Sequence, residues 1–121
     1  SKTVVSSDNA PAAIGPYSPG IQTGNMVFLS GQLGIDHNWQ DAQGRRGPAK
    51  QSLANVEALL TAAGATFADV VKPVYLADIA DFAAVNEIYA SKFEVRSRAQ
   101  RFQVAALPAG GLVEIEVVAA L

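Results

Sequence analysis

The stretch Leu112-Val113-Glu114-Ile115-Glu116-Val117-Val118-Ala119 decides the fold, because its chemistry alternates residue by residue. One set of side chains is Val113, Ile115, Val117 and Ala119; the other is Leu112, Glu114, Glu116 and Val118. Successive side chains of a strand point to opposite faces. The spacing therefore predicts a strand with one wholly apolar face and one mixed face that carries two carboxylates. The mixed face also keeps apolar area that must be covered by something.

Working outward, Ala99 to Ala106 alternates in the same way, with Phe102, Val104 and Ala106 against Ala99, Arg101, Gln103 and Ala105. Arg101, Gln103, Glu114 and Glu116 thus lie opposite their strands' most apolar faces. Upstream, Phe82, Val85, Tyr89 and Phe93 form one helical stripe behind a capping Asp81. Val70 to Leu76 reads as a strand, with Pro73 an awkward guest. A clearer helix precedes it, with Pro48 at its first position, Leu53, Val56, Leu60 and Ala63 at helical spacing, and Gly64 as a left-handed end.

Met26-Val27-Phe28-Leu29-Ser30 follows a Gly24-Asn25 turn and reads as a strand buried on both faces. Gly31-Gln32-Leu33-Gly34 extends it, its glycines marking a bulge or a close backbone approach. Asn9 to Gly20 carries three prolines and two glycines and no charge, which suits an ordered loop packed on the domain. The order is strand, strand, helix, strand, helix, strand, strand: an α+β fold with two helices on one face of a mixed sheet. Two helices cover one face only, so the other is expected to be covered by self-association.

Composition bounds the function. The 121 residues fit a single domain, 1–121, and half of them are apolar, enough for a core without metal or disulfide staples. Absence of cysteine removes thiolate nucleophiles and Cys-based zinc sites, and the one histidine, His37, sits in a polar loop. A net charge of −2 gives no general pull on nucleic acid or an anionic membrane, although Arg96, Arg98 and Arg101 cluster. No apolar run approaches the roughly 20 residues of a membrane-spanning helix. Ser1-Lys2-Thr3-Val4-Val5 has no signal-peptide pattern, so the cytoplasm is the expected compartment.

Several of these segments resemble, in order, the motifs of the RidA (YjgF) family of 2-iminobutanoate/2-iminopropanoate deaminases. Ala10 to Ser18 is similar to the family's amino-terminal signature, and Ser30-Gly31-Gln32 to its strand-end motif. Gln51-Ser52-Leu53-Ala54-Asn55 and Ala62-Ala63-Gly64 resemble its first helix, and Asp81 to Tyr89 its second. Val104 to Pro108 and Val113 to Glu116 resemble its closing strands. The resemblance implies a chorismate-mutase-like fold, a homotrimer, and clefts between subunits. There, reactive 2-imino acids would be hydrolysed to 2-oxo acids and ammonia without cofactor or metal.

By motif matching, Glu114 would be the catalytic group, with Tyr17, Ser30, Gly31 and Asn86 lining or supporting the cleft. Read without the family, Tyr17 anchors its own loop, Asn86 bonds backbone, and Glu114 is a solvated strand residue. The family's substrate-clamping arginine sits in a Pro-Ala-Arg run, and ungapped counting from Pro108 puts Ala99 there and Ser97 at the proline. The loop after Phe93 and the strand around Lys72-Pro73 are each one residue shorter than the family pattern. Two arginines are candidates for the clamp: Arg98 through a bulge, or Arg101, which shares the parity of Ala99. The rival readings are a non-catalytic carboxylate-metabolite binder or sensor in the same cleft, a ribonuclease, and a chaperone-like interaction protein. Acidic charge and the lack of a catalytic histidine or basic–aromatic stripe argue against the ribonuclease.

Overall fold

The computed structural model describes residues 1–13, 15–35, 47–77, 87–88, 90–92, 100–102, 105–107 and 113–121; for 72–77 and 100–102 it is the backbone that is described. The strands are β1 (Lys2–Val5), β2 (Gly20–Thr23), β3 (Met26–Leu29), β4 (Gln32–Leu33), β5 (Val70–Ala77), β6 (Gln100–Phe102) and β7 (Val113–Ala120), and the helix is α1 (Gly47–Ala62). They form one sheet in the order β1-β2-β3-β7-β5-β6, with β4 also paired to β7. Every pairing is antiparallel except the parallel β5–β6 pair, so the fold is α+β with a mixed sheet.

The alternation of the closing stretch is realised in β7. Val113, Ile115, Val117 and Ala119 are buried, whereas Glu114 and Val118 are partly exposed and Glu116 is exposed. Helix α1 lays Leu53, Val56, Leu59 and Leu60 on that apolar face, together with Val27 and Leu29 of β3. Each such buried aliphatic side chain contributes roughly 1.5–3 kcal/mol of transfer free energy, which makes this contact the core.

Helix α1 ends as the sequence predicts. Gly64 has φ of 78°, its N–H donates to Thr61 O at 3.0 Å, and the Ala65 N–H donates to Leu60 O at 2.8 Å. This pair of bonds is a Schellman motif, with Gly64 as the left-handed residue. Pro48 lies in the first turn.

Three polar side chains lie inside the core. Ser52 and Asn55 of α1 and Gln32 of β4 are all buried. The Ser52 hydroxyl donates to Gln32 O at 2.6 Å, and Asn55 Nδ2 donates to Leu33 O at 3.0 Å and Ile35 O at 2.7 Å. Asn55 Oδ1 in turn accepts from Gln51 Nε2 at 3.0 Å. Buried polar groups need such partners, and here they join the helix to the strand segment beneath it.

Several expectations are corrected. β1 and β2 were not expected as strands. β1 is a four-residue edge segment exposed except at Val5, held by its backbone pairing to β2, so it leaves no apolar alternation to read. The Gly24-Asn25 turn joins β2 to β3 as a two-residue hairpin loop. β3 is not buried on both faces within the chain, since Phe28 is 46% exposed. β6 is three residues long, and Ala105 and Ala106 lie outside any strand. Pro73 is accommodated beside a register shift between Val70 and Lys72, ahead of the β6 pairing that begins at Val74, where the ladder asks least of its missing N–H. Of the second helix, Glu87, Ile88 and Ala90 are helical; Asp81, Phe82, Val85, Asn86, Tyr89, Phe93 and His37 lie outside the described residues.

The left-handed cap makes a clean prediction. A Cβ at Gly64 would meet nothing within 4 Å, so Gly64→Ala should lose only conformational energy, about 1–2 kcal/mol. Urea unfolding measures this, and unchanged stability would contradict a left-handed residue there.

Candidate active site

Glu114 stands on the face of β7 turned away from α1, half-buried, between β4 and β5 in the ladder. Its register partners are Leu33 on one side and Leu76 on the other, neither of them charged. Burial is the main cause that raises its proton affinity above that of an ordinary carboxyl, and the Glu116 carboxylate two residues along adds to it. A carboxylate tuned upward in this way is a better proton acceptor near neutral pH.

Gly31 touches it directly. A Cβ built on Gly31 would collide with the Glu114 carboxylate, 2.6 Å from Cδ and 2.8 Å from Cγ. The close approach expected at these glycines is real, and Gly34 makes a second one, its Cβ position lying 2.5 Å from the Pro48 Cα. At Gly31 the absent side chain lets the carboxyl come close to the backbone.

The proline-rich loop folds over the same place. Ser30 Oγ donates to Ser18 O at 2.7 Å and the Ser30 N–H donates to Pro19 O at 2.9 Å. Both donors of Ser30 therefore fasten the loop. Tyr17 is 51% exposed and lines a recess of about 20 Å³ with Pro11, Ala13, Gly31, Leu33 and Ile35. That volume admits about one water, far below the roughly 300 Å³ of a small-molecule pocket.

The structure thus gathers Tyr17, Ser30, Gly31 and Glu114 along one line of contacts. Asn86 and Arg98 lie outside the described residues. Arg101 lies on β6, paired with Tyr75, which pairs with Ile115; the row of Glu114 contains Leu76 and Phe102 instead. Pairing therefore sets Arg101 one step out of the Glu114 row. Ser52 and Asn55 support the site from beneath β4, and sequence reading gave them no role. Their signal was available: two polar residues at i, i+3 within the apolar helix face of Leu53, Val56 and Leu60.

A larger crevice of about 610 Å³ opens elsewhere, between the outer side of α1 and Ile88 to Lys92. It contains none of the residues around Glu114. Among the described residues no group of three or more His, Cys, Asp or Glu side chains is placed to hold a metal, and no helix is long and apolar enough to cross a membrane.

The same face carries an apolar row. Val4, Ile21, Phe28 and Val118 are cross-strand partners in sequence, with Val4 60% and Phe28 46% exposed. It adjoins Glu116 and Glu114 along β7.

The sequence and the fold are similar to those of known proteins. The profile of the family described as Endoribonuclease L-PSP matches residues 7–121. A curated relative from Capra hircus, named 2-iminobutanoate/2-iminopropanoate deaminase, is 46% identical over 126 positions, covering 98% of this chain and 89% of that protein. The crystal structure of RidA from Psychrobacter sp. PAMC 21119 superposes with a TM-score of 0.94 at 39% identity, covering 98% of this chain and 99% of that one. A structure of TdcF from E. coli with bound serine has a TM-score of 0.91 at 34% identity and covers 98% of both chains.

The contact between Gly31 and Glu114 yields a coupled prediction. Gly31→Ala should destabilise the protein by about 1–3 kcal/mol, as overpacking does, and by much less in a Glu114→Ala background. A double-mutant cycle by urea unfolding reads the coupling, and strict additivity would mean that the two groups do not touch.

Proposed function

Since the chain belongs to the RidA family, whose profile is described as Endoribonuclease L-PSP, we propose that it is an imine deaminase converting reactive 2-imino acids to 2-oxo acids and ammonia. The observation that carries this reading is the half-buried Glu114 resting on Gly31, with a proton affinity raised by burial.

The reaction needs only water. Water adds to the imine carbon while the Glu114 carboxylate takes one of its protons and returns it to the imine nitrogen, giving a carbinolamine. In the collapse Glu114 takes the hydroxyl proton as the C=O bond forms and delivers it to the nitrogen, which leaves as ammonia. Glu114 acts as base and then as acid, which asks for a proton affinity between those of its two partners. Backbone groups at Gly31 cradle the substrate, and Tyr17 closes the recess side. Asn86 supports the cleft in this reading. An arginine, Arg98 or Arg101, grips the substrate carboxylate through its planar fork.

The assembly is a homotrimer with the cleft between subunits. Two features support it: the apolar row Val4, Ile21, Phe28 and Val118 needs cover, and the recess of about 20 Å³ needs a second wall. The rival ribonuclease reading rests on the family description alone, and a net charge of −2 argues against an RNA substrate.

Freshly generated 2-iminobutanoate should be hydrolysed by wild type, with an acid limb displaced upward from the ordinary carboxyl range because the deprotonated form does the work. Glu114→Gln should lower the rate while preserving stability; equal rates would remove Glu114 from the mechanism. In the same series, loss of the clamp should weaken 2-oxobutanoate binding about ten- to a hundredfold, for a charged hydrogen bond of roughly 1.5–3 kcal/mol. Calorimetry on Arg98→Ala and Arg101→Ala identifies it, and wild-type affinity in both and in the double variant would leave the clamp unassigned to either.

Light scattering should give about three times the chain mass at micromolar concentration, and Phe28→Glu should shift it toward monomer. A wild-type monomer would remove the shared cleft.

A further inference from the structure

β4 is two residues long and has two ladder partners on β7, Ile115 and Glu114. A strand that short is weakly held by its ladder. Its additional restraints come from the opposite side: Ser52 holds Gln32 O, while Asn55 holds Leu33 O and Ile35 O. Both donors are fully buried, so they have no water to exchange with. Immediately before this restrained segment stands Gly31, whose Cα is the surface on which the Glu114 carboxyl lies. No slack separates them.

We infer that Ser52 and Asn55 of helix α1 are positioning residues for the Glu114 carboxylate, acting through the β4 backbone and Gly31. They stand beneath the sheet segment and set the height of the wall against which Glu114 is packed. The inference rests on Glu114 being the working group of the proposed deaminase, but the geometry it concerns is readable without activity. Removing a donor lets β4 relax, opens the Gly31 contact and admits water to the carboxyl. Hydration favours the charged form, so the proton affinity of Glu114 must fall toward that of an ordinary carboxyl.

Among the described residues the other charges around Glu114 leave this reading intact, and Arg101 on β6 stands in the row of Ile115. Glu116 lies on the same strand and is present in every variant. β4 contributes no ionisable group, Leu76 is the partner on β5, and Lys72 pairs with Val118, four residues further along. Tyr17 is on the covering loop.

The test is a carboxyl titration by nuclear magnetic resonance of the full chain labelled at glutamate, with the Glu114 signal assigned through Glu114→Gln. Wild type is compared with Ser52→Ala, Asn55→Ala and Thr66→Ala. Thr66 caps the short turn Phe67–Asp69, so its loss destabilises without touching the α1–β4 bonds. Ser52→Ala and Asn55→Ala should both move the Glu114 midpoint down, and the acid limb of imine hydrolysis should move with it. Thr66→Ala should leave the midpoint in place. If Asn55→Ala does not fold, Ser52→Ala carries the comparison. Wild-type midpoints in Ser52→Ala and Asn55→Ala, or an equal shift in Thr66→Ala, would overturn the inference. Should wild type hydrolyse no imine, the functional reading falls while the titration still decides the positioning role.

Discussion

Three carbonyl oxygens of one short segment, those of Gln32, Leu33 and Ile35, receive their hydrogen bonds from inside the core. Most of the architecture around Glu114 depends on that arrangement. A two-residue strand cannot hold its own position by two ladder pairs, yet it borders the carboxylate on which the proposed chemistry turns. Helix α1 solves both problems with one face. Its Leu53, Val56 and Leu60 supply burial, and its Ser52 and Asn55, interleaved among them, supply donors. Leaving such a carbonyl dry and unpaired costs about 1–3 kcal/mol, so the helix cannot shift without losing several at once.

On the other side of the sheet the constraint is the reverse. There the chain leaves Val4 and Phe28 exposed and offers a recess too small for a substrate. A carboxyl half-buried at the border of an apolar row has its proton affinity raised already, and a second subunit across that row would raise it further by excluding water. Under the proposed assembly, one surface would both draw the subunits together and dry the site.

Much of this was legible in the sequence. The alternation of Val113 to Ala119, the stripe of α1 and the Gly64 cap are local patterns with periods of 2 and 3.6, and each appears where the residues place it. Glu114 was singled out because its neighbours match a family and because parity puts it off the apolar face. β1 was not legible, since an edge strand is held by backbone bonds and needs no apolar rhythm, and neither was β2, four residues paired on both sides. Ser30 was expected from its motif to line or support the cleft, but its bonds to Ser18 and Pro19, partners twelve and eleven residues away, follow from no spacing rule. Arg101 was singled out because it shares the parity of Ala99 within its own strand, and only the β5 register shows that its row is that of Ile115.

By itself, then, the sequence determined which faces are apolar, where the helix stops, and which carboxylate is offered to the open side of the sheet. Those are properties of short windows, governed by backbone geometry and side-chain direction. Only the tertiary structure decided what stands opposite what: that Gly31 lies under Glu114, that Asn55 reaches Leu33 and Ile35, and that Val4, Ile21, Phe28 and Val118 line up as one row. Register and close approach arise from packing segments that are distant in the chain. A shift of one residue reverses which side chains meet, and nothing in either segment alone records it.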